Sequence, residues 1–178
     1  MTNIGIGKLG FGRVGRHQNI YLGGSFSSVN YGNEVGFVPT NRIAKWNGTN
    51  WEGFGSGMNY IIRSIAFDSS GTLHAAGVFT TANGVTVNRI AKWNGTQWSG
   101  FGTGMNGTVY SIAFDSSGTL HAGGSFTTAN GVTVNRIAKW NGTNWEGFGS
   151  GMNSGVRSIA FYSSGTLHAA GDFTPAVS

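Results

Sequence analysis

The sequence predicts an all-β protein built from one repeated unit of antiparallel strands, and three observations support this. A segment of 47 residues recurs along the chain, and its copies at 41–87 and 88–134 differ at only 9 positions. No segment places apolar residues at helical spacing over a useful length, whereas short runs rich in β-branched and aromatic residues are frequent. The chain also has 32 Gly and only 10% charged residues, which is typical of short strands joined by tight turns.

Two further copies flank this pair. A third begins at residue 135 and reaches residue 178, three residues short of a full period. A partial copy comes first: "YLGGSFSSVNYGNEVGFVPT" from Tyr21 parallels "HAGGSFTTANGVTV" from His121 and has six additional residues. Copies this similar indicate a recently amplified or an engineered array. We expect a single domain over residues 1–178, made of an atypical partial unit at 1–40 and repeats at 41–87, 88–134 and 135–178.

The unit divides into four predicted strands. The first, "TVYSIAFD" at 108–115, is the most apolar and should lie innermost. The turn "DSSG" follows, with Asp115 as its cap and Gly118 at positive φ, and leads into the second strand, "TLHAGGSF". A longer loop, "TTANGVTV", precedes the third strand, "NRIAKWN", and a Gly-Thr turn separates this from a fourth that reads "QWSGFG" at 97–102. Four antiparallel strands in a period of about 40 to 50 residues correspond to one blade of a β-propeller, which is the fold we predict.

The repeat also resembles a known blade type. A second strand that ends in Gly-Gly (Gly23-Gly24 and Gly123-Gly124), an aromatic third strand and a Trp on the fourth are similar to kelch-type blades. The resemblance covers residues 20–178 and follows the pattern "GG-x-F … IAKW-(D/N)-G … W … LG-x-G" of bacterial kelch-like repeats. Two copies depart from it, because they read Ala-Ala-Gly at 75–77 and 169–171. The resemblance implies four-stranded blades.

The number of blades raises the question of how a ring would close. Three hairpins between third and fourth strands are centred on Asn47, Asn94 and Asn141, the last copy supplies two strands, and "KLGFGRV" offers a possible first strand for the first copy. The chain therefore carries about three and a half blades, whereas closed propellers use roughly four to eight. The terminal strands could meet within one chain, several chains could share a ring, or the chain could be part of a longer array. We favour a homo-oligomer that shares the ring. The N-terminal arm could instead serve as an outer strand of the last half-blade.

Pairs of Trp bracket each Asn-Gly-Thr-x turn and are the candidate ligand-binding residues. Across such a hairpin the two indoles should lie close together, and an aromatic wall beside amide donors suits the apolar face of a sugar. The layout is similar to the "W-D-G-x-x-W" hairpins of small fucose-binding propeller lectins, although Asn stands here in place of the acid and no Arg–Glu pair recurs. The competing interpretation is that the indoles fill the space between blades. The candidates are Trp46, Trp51, Trp93, Trp98, Trp140, Trp145, Asn47, Asn94 and Asn141.

Other motifs give no grounds for catalysis or for a bound cofactor or metal. The chain has no Cys, so a thiolate site or a Cys nucleophile is excluded. One His recurs per repeat, at 74, 121 and 168, and we interpret each as a hydrogen-bonded or exposed strand residue. Matches to Gly-x-Gly-x-x-Gly at 5–10 and 10–15 lack the following helix that dinucleotide binding requires. We predict no enzymatic activity, no cofactor and no metal.

Charge and hydropathy restrict the partners. The formal net charge is +5, and the only basic cluster, Lys8, Arg13, Arg16 and His17, is expected to be a solvated arm rather than a nucleic-acid site. The apolar runs are too short to span a bilayer, and residues 1–17 show no signal-peptide core. We therefore expect a non-enzymatic binding module, with a glycan as its ligand and a homo-oligomeric ring. The alternative is a structural or protein-interaction propeller with no small-molecule ligand, possibly an engineered array.

One stretch differs in every copy. The residues after "GMN" read "YIIR" at 60–63, "GTVY" at 107–110 and "SGVR" at 154–157, and the position after the second strand also varies. These residues precede the innermost strand. Their differences reflect either neutral drift or adaptation of one face of the ring, and the sequence leaves both open.

Overall fold

The computed structural model describes residues 10–12, 19–30 and 37–174, and this part of the chain is all-β, with no helix. Its strands form three four-stranded antiparallel sheets, a further two-stranded sheet and three small hairpins. Sheet 1 has the order β1-β2-β5-β6. Its strands, with the small hairpin β3–β4, are β1 (Gly10–Gly12), β2 (Asn19–Gly23), β3 (Ser28–Asn30), β4 (Phe37–Pro39), β5 (Ile43–Trp46) and β6 (Trp51–Glu52).

Sheets 2 and 3 repeat this plan, and sheet 4 contains only its first two strands. Sheet 2 consists of β7 (Ile62–Phe67), β8 (Leu73–Gly77), β11 (Ile90–Trp93) and β12 (Trp98–Gly100), with the hairpin β9 (Thr81–Ala82) and β10 (Val85–Thr86) between its second and third strands. Sheet 3 consists of β13 (Val109–Phe114), β14 (Leu120–Gly124), β17 (Ile137–Trp140) and β18 (Trp145–Gly147), with the hairpin β15 (Thr128–Ala129) and β16 (Val132–Thr133). Sheet 4 consists of β19 (Val156–Phe161) and β20 (Leu167–Gly171). The prediction of four antiparallel strands per repeat is confirmed.

The N-terminal segment supplies the first strand of sheet 1. Gly10 pairs with Tyr21 and Gly12 with Asn19, so β1 lies beside β2. This is the position predicted from "KLGFGRV". The alternative, that this segment is an outer strand of the last half-unit, is wrong, because it pairs within sheet 1 instead.

The two predicted turns have the expected chemistry. In the "DSSG" turn, Asp115 Oδ1 accepts hydrogen bonds from the backbone N–H groups of Ser117 and Thr119, and Gly118 has φ 82°. In the hairpin between third and fourth strands, Asn94 Oδ1 accepts from the N–H groups of Thr96 and Gln97. Gly95 follows with φ 104°, a conformation that glycine adopts without steric cost.

The long loop contains a short β-hairpin that the sequence pattern does not predict. Within "TTANGVTV", Ala129 pairs with Val132 across an Asn-Gly turn whose residues both have positive φ, as two-residue hairpins require. Two-residue strands are too short to show an alternating pattern, so only the Asn-Gly dipeptide could have revealed them.

The sheets stand side by side through their first strands. β7 lies beside β13, and β13 lies beside β19, with β1 next to β7 at one end of the row. Serine hydroxyls join neighbours, because the N–H of Ile112 donates to Ser64 Oγ and the N–H of Ile159 to Ser111 Oγ, each at 3.2 Å. Apolar side chains fill the space between successive sheets and form the core.

Sheet 4 presents an uncovered face. Its second strand exposes His168 and Ala170, whereas the equivalent His74 and Ala76 in sheet 2 are buried against sheet 3. Phe148, on the sheet 3 side, is 36% exposed, whereas the equivalent Phe101 is 4% exposed. The same residues are thus buried or exposed according to whether a further sheet follows, and no described strand follows sheet 4 along the chain.

Candidate binding clefts between sheets

Each Trp pair lies on directly opposed residues of two neighbouring strands. Trp93 pairs with Trp98, and Trp140 with Trp145, and their ring centroids are 5.3 and 5.4 Å apart. The Trp46 and Trp51 rings are 5.5 Å apart. The prediction that the indoles approach each other across the hairpin is confirmed.

The two indoles of a pair lie in different surroundings. Trp98 and Trp145 are each 1% exposed and pack between sheets, against Phe54 and Phe101 respectively. The indole Nε1–H of Trp98 donates to the carbonyl oxygen of Phe54 at 3.3 Å, which ties sheet 2 to sheet 1. In sheets 2 and 3 a pair therefore offers only one ring to a ligand, whereas Trp46 and Trp51 of sheet 1 are both partly exposed. In sheets 2 and 3 the partly exposed ring is the first of the pair.

The partly exposed indoles line two clefts that are equivalent in the repeat. Cleft 1, of about 410 Å³, lies between sheets 1 and 2, and cleft 2, of about 520 Å³, lies between sheets 2 and 3. In each cleft an aromatic ring of one sheet packs edge-on against an aromatic ring of the next sheet. The ring centroids of Phe54 and Trp93 are 5.4 Å apart with an interplanar angle of 86°, and those of Phe101 and Trp140 are 5.3 Å apart with an angle of 83°. Lining residues of cleft 1 and their equivalents in cleft 2 are Lys45/Lys92, Phe54/Phe101, Phe67/Phe114, Trp93/Trp140, Asn94/Asn141 and Tyr21/His74.

The predicted site residues are divided among these places. Trp93, Trp140, Asn94 and Asn141 line the clefts, and Asn94 borders both. Trp98 and Trp145 lie in the core. Trp46, Trp51 and Asn47 belong to the hairpin of sheet 1 and line neither cleft.

A substitution in the second repeat changes the contacts of the lysine in cleft 2. In the first repeat Glu52 accepts a hydrogen bond from Asn47 Nδ2 and lies 3.3 Å from Lys45 Nζ, and Glu146 makes the same contacts in the third. Ser99 stands in this place in the second repeat. Within the described residues Lys92 therefore has no ion-pair partner, and its Nζ lies 5.6 Å above the Phe101 ring. Both Lys92 and Asn94 line cleft 2.

An Asp–His pair recurs in sheets 2 and 3, and the pair of sheet 2, Asp68 and His74, lines cleft 2. His74 Nε2 lies 3.3 Å from Asp68 Oδ2, and His121 Nε2 lies 3.0 Å from Asp115 Oδ2. His74 and His121 are buried, whereas His168 is exposed, so the interpretation of these residues as hydrogen-bonded or exposed strand histidines is confirmed. The sequence predicts these acids as turn caps and does not predict their bond to histidine. The recurring Asp-x5-His spacing, which is lost where Tyr162 replaces the acid, is the signal that could have revealed the pair.

These contacts set the ionisation of both partners. Burial alone would raise the pKa of Asp68, but hydrogen bonds from the Ser70 hydroxyl, the Thr72 N–H and His74 outweigh it and lower that pKa to about 2. Burial lowers the pKa of His74, and the bond to Asp68 opposes this only in part. At neutral pH the pair is therefore a carboxylate that accepts a hydrogen bond from the Nε2–H of a neutral imidazole.

Comparison with known proteins assigns no family. No family model and no curated protein matches the chain. Within residues 10–12, 19–30 and 37–174, no three His, Asp or Glu side chains are grouped so that they could hold a metal ion. In the same ranges there is no helix long and apolar enough to cross a membrane.

Proposed function

We propose that this chain is a non-enzymatic binding module that holds glycans in the clefts between its sheets. The observation that carries the proposal is the recurrence of one set of side chains in both clefts: an indole, a phenyl ring, a lysine and an asparagine. A polysaccharide presents the same sugar again and again, so identical sites at a fixed spacing suit it. Two linked sites also raise avidity without new contacts.

The chemistry of each cleft supports a sugar as the ligand. The clefts fall in the range of about 300–1,000 Å³ that small-molecule pockets occupy. A partly exposed indole can pack against the apolar face of a pyranose ring. The Lys92 ammonium and the Asn94 amide can donate to hydroxyl or carboxylate oxygens. The Asp68 carboxylate also lines cleft 2 but is bonded by Ser70, Thr72 and His74, so the acidic group of a sugar would bind at Lys92.

We further infer that the four sheets are blades of a kelch-like β-propeller whose ring is completed by a second copy of the chain. The side-by-side first strands and the repeated packing between successive sheets support a propeller. The uncovered face of sheet 4 supports completion by another copy, because its exposed residues are buried in the equivalent faces of sheets 2 and 3.

A glycan array probed with the fluorescently labelled full chain tests glycan binding. We expect binding to a subset of glycans, and a loss of at least about tenfold in affinity when Trp93→Ala and Trp140→Ala remove the cleft indoles. Tyr162→Ala is the control, because this exposed aromatic residue lies outside both clefts. Its affinity should stay unchanged.

Two results would contradict the proposal. One is a silent array with a folded protein, which would favour a structural or protein-interaction role. The other is equal loss of binding in all three variants. Thermal melts followed by circular dichroism establish that each variant is folded. Trp98→Ala is unsuitable for this purpose, because Trp98 is buried between sheets and its removal would test folding rather than binding.

A further inference from the structure

The few differences between the repeats gather at one place in the structure. Of the nine positions that differ between the first two complete copies, five are residues 60–63 and 78, which correspond to 107–110 and 125. They adjoin in space, because the N–H of Val78 donates to the carbonyl of Ile61, as Ser125 does to Thr108. The third copy differs again there, at 154–157 and Asp172. We call this region, where the first strand of each sheet begins and the second ends, the variable end.

Exposure alone does not explain this clustering. Thr49, Ser69 and Val85 are exposed and lie elsewhere on the repeat. Their equivalents in the second copy, Thr96, Ser116 and Val132, are identical and also exposed. Drift limited only by the core would alter such positions as often as the variable end. The concentration of differences therefore favours a function for that end over neutral drift.

Charge also separates along the sheets. All five described arginines lie at or beside the variable end, where Arg42, Arg89 and Arg136 donate to the carbonyls of Met58, Met105 and Met152. All three described lysines lie near the opposite end, together with four of the five described acids. Asp172 is the one described acid at the variable end. The variable end is consequently basic and can steer an acidic partner. The five arginines are Arg42, Arg63, Arg89, Arg136 and Arg157.

β-Bulges direct the varying side chains outward. The pairing of each first strand with its second shifts register at one residue, and that residue is Arg63 in β7, Tyr110 in β13 and Arg157 in β19. A bulge bends the strand and re-aims a side chain. Since these strands are neighbours, the three bulges form a row: the guanidinium of Arg157 lies 4.4 Å above the Tyr110 ring. Arg63 is exposed and makes no ion pair with any described residue.

The pattern of variation indicates the kind of partner. A polymer of identical units, such as a polysaccharide or a nucleic-acid backbone, would meet the same side chain in each repeat, as the clefts provide. The variable end instead presents Arg, Tyr and Arg in one row, and Val, Ser and Asp in the next. Arg and Tyr are enriched at protein interfaces, and Tyr60 is 51% exposed beside them. We propose that the variable end docks an acidic polypeptide segment of non-repetitive sequence. Its carboxylates pair with Arg63 and with the remaining donors of Arg157, whose Nε and Nη2 already bond Asp172.

A random linear peptide library displayed on phage and panned against the full chain tests this. We expect the enriched peptides to be rich in Asp and Glu. The double variant Arg63→Ala/Arg157→Ala should lower the affinity for these peptides by at least about tenfold, because hydrogen bonds to charged groups are lost. The control, Lys92→Ala/Lys139→Ala, removes the same charge from the opposite end and should leave affinity unchanged. Fluorescence anisotropy with synthetic copies of the enriched peptides measures both.

A charge-neutral exchange sharpens the test. Arg63→Tyr/Tyr110→Arg keeps the composition and net charge, and each bulge receives a residue that the repeat already accepts there. If a non-repetitive peptide reads the row, the exchange weakens binding. The proposal is overturned if acidic peptides are not enriched, if both alanine double variants weaken binding equally, or if the exchange has no effect. The single-stranded DNA oligo-dT represents a backbone of identical anionic units. The proposal is also overturned if oligo-dT displaces the peptides and binds the exchanged variant as tightly as the wild type. The clefts lie at the opposite end of the sheets from the variable end, so each of these results is independent of whether the clefts bind glycans.

Discussion

Asp68 closes a turn and also bonds a buried histidine, and the lowered pKa values of both residues make stability depend on pH. One carboxylate oxygen closes the turn through Ser70 and Thr72, and the other accepts a hydrogen bond from the buried His74. Burial lowers the pKa of His74 below its usual 6.5, so the folded protein keeps this imidazole neutral where the unfolded chain would protonate it. Stability from this residue is therefore complete above about pH 6.5 and is lost as the pH falls.

We predict that the free energy of unfolding decreases between pH 7.5 and 5.5, and that His74→Gln flattens this decrease. Urea unfolding at several pH values measures it. A second loss is expected as the pH falls from about 4 towards 2, because the pKa of Asp68 is lowered from 3.8 to about 2 in the folded state. Asp68→Asn should reduce this second loss and leave the first in place. An identical pH profile in the wild type and in His74→Gln would contradict the assignment.

At the scale of the strand, one residue on β12 distinguishes cleft 2. Ser99 faces Lys92 where the other repeats place a glutamate that holds the lysine and the turn asparagine. We predict that Ser99→Glu pairs with Lys92 and Asn94 and weakens an anionic glycan at cleft 2 by at least about tenfold, since it neutralises one charge and occupies one donor. Isothermal titration with a uronic-acid oligosaccharide measures this.

The chain supplies a matched control for this change. Ser99→Gln introduces similar bulk without charge and should have a smaller effect. Glu52→Ser, the reverse substitution, should release Lys45 beside cleft 1 and strengthen binding there. Ser99→Glu binding as tightly as the wild type would show that Lys92 does not contact the ligand.

The strands and turns could be predicted from sequence because their signals are local. Asp115, Gly118 and the Asn-Gly dipeptides fix their turns through bonds within a few residues. The different fates of Trp93 and Trp98 could not be predicted, because they depend on Phe54 of the preceding sheet. The Asp–His pair also depends on burial by a neighbouring sheet. The repeat pattern shows that a residue recurs, but not which neighbour covers it.

At the scale of the whole molecule, the open face of sheet 4 is the surface that the proposed assembly would cover. Ala170 occupies the position of Ala76, which is fully buried, and of Gly123, where an added Cβ would lie 2.6 Å from Val156 of the next sheet. Ala170 therefore points away from sheet 3, into the space that a further sheet would fill. With Phe148 and His168 also exposed, this face is suited to meet sheet 1 of another copy.

We predict that the chain is at least a dimer in solution, so its mass exceeds 18.6 kDa, as measured by light scattering after size exclusion. Ala170→Asp should dissociate it without unfolding the protomer, because a carboxylate buried in the joint would lack a partner, while in the monomer it lies in water. Ser163→Asp adds the same charge at an exposed turn position and should leave the assembly intact. A wild-type protein that is monomeric at every concentration would rule out a shared ring. An oligomer unaffected by Ala170→Asp would place the joint elsewhere than on sheet 4.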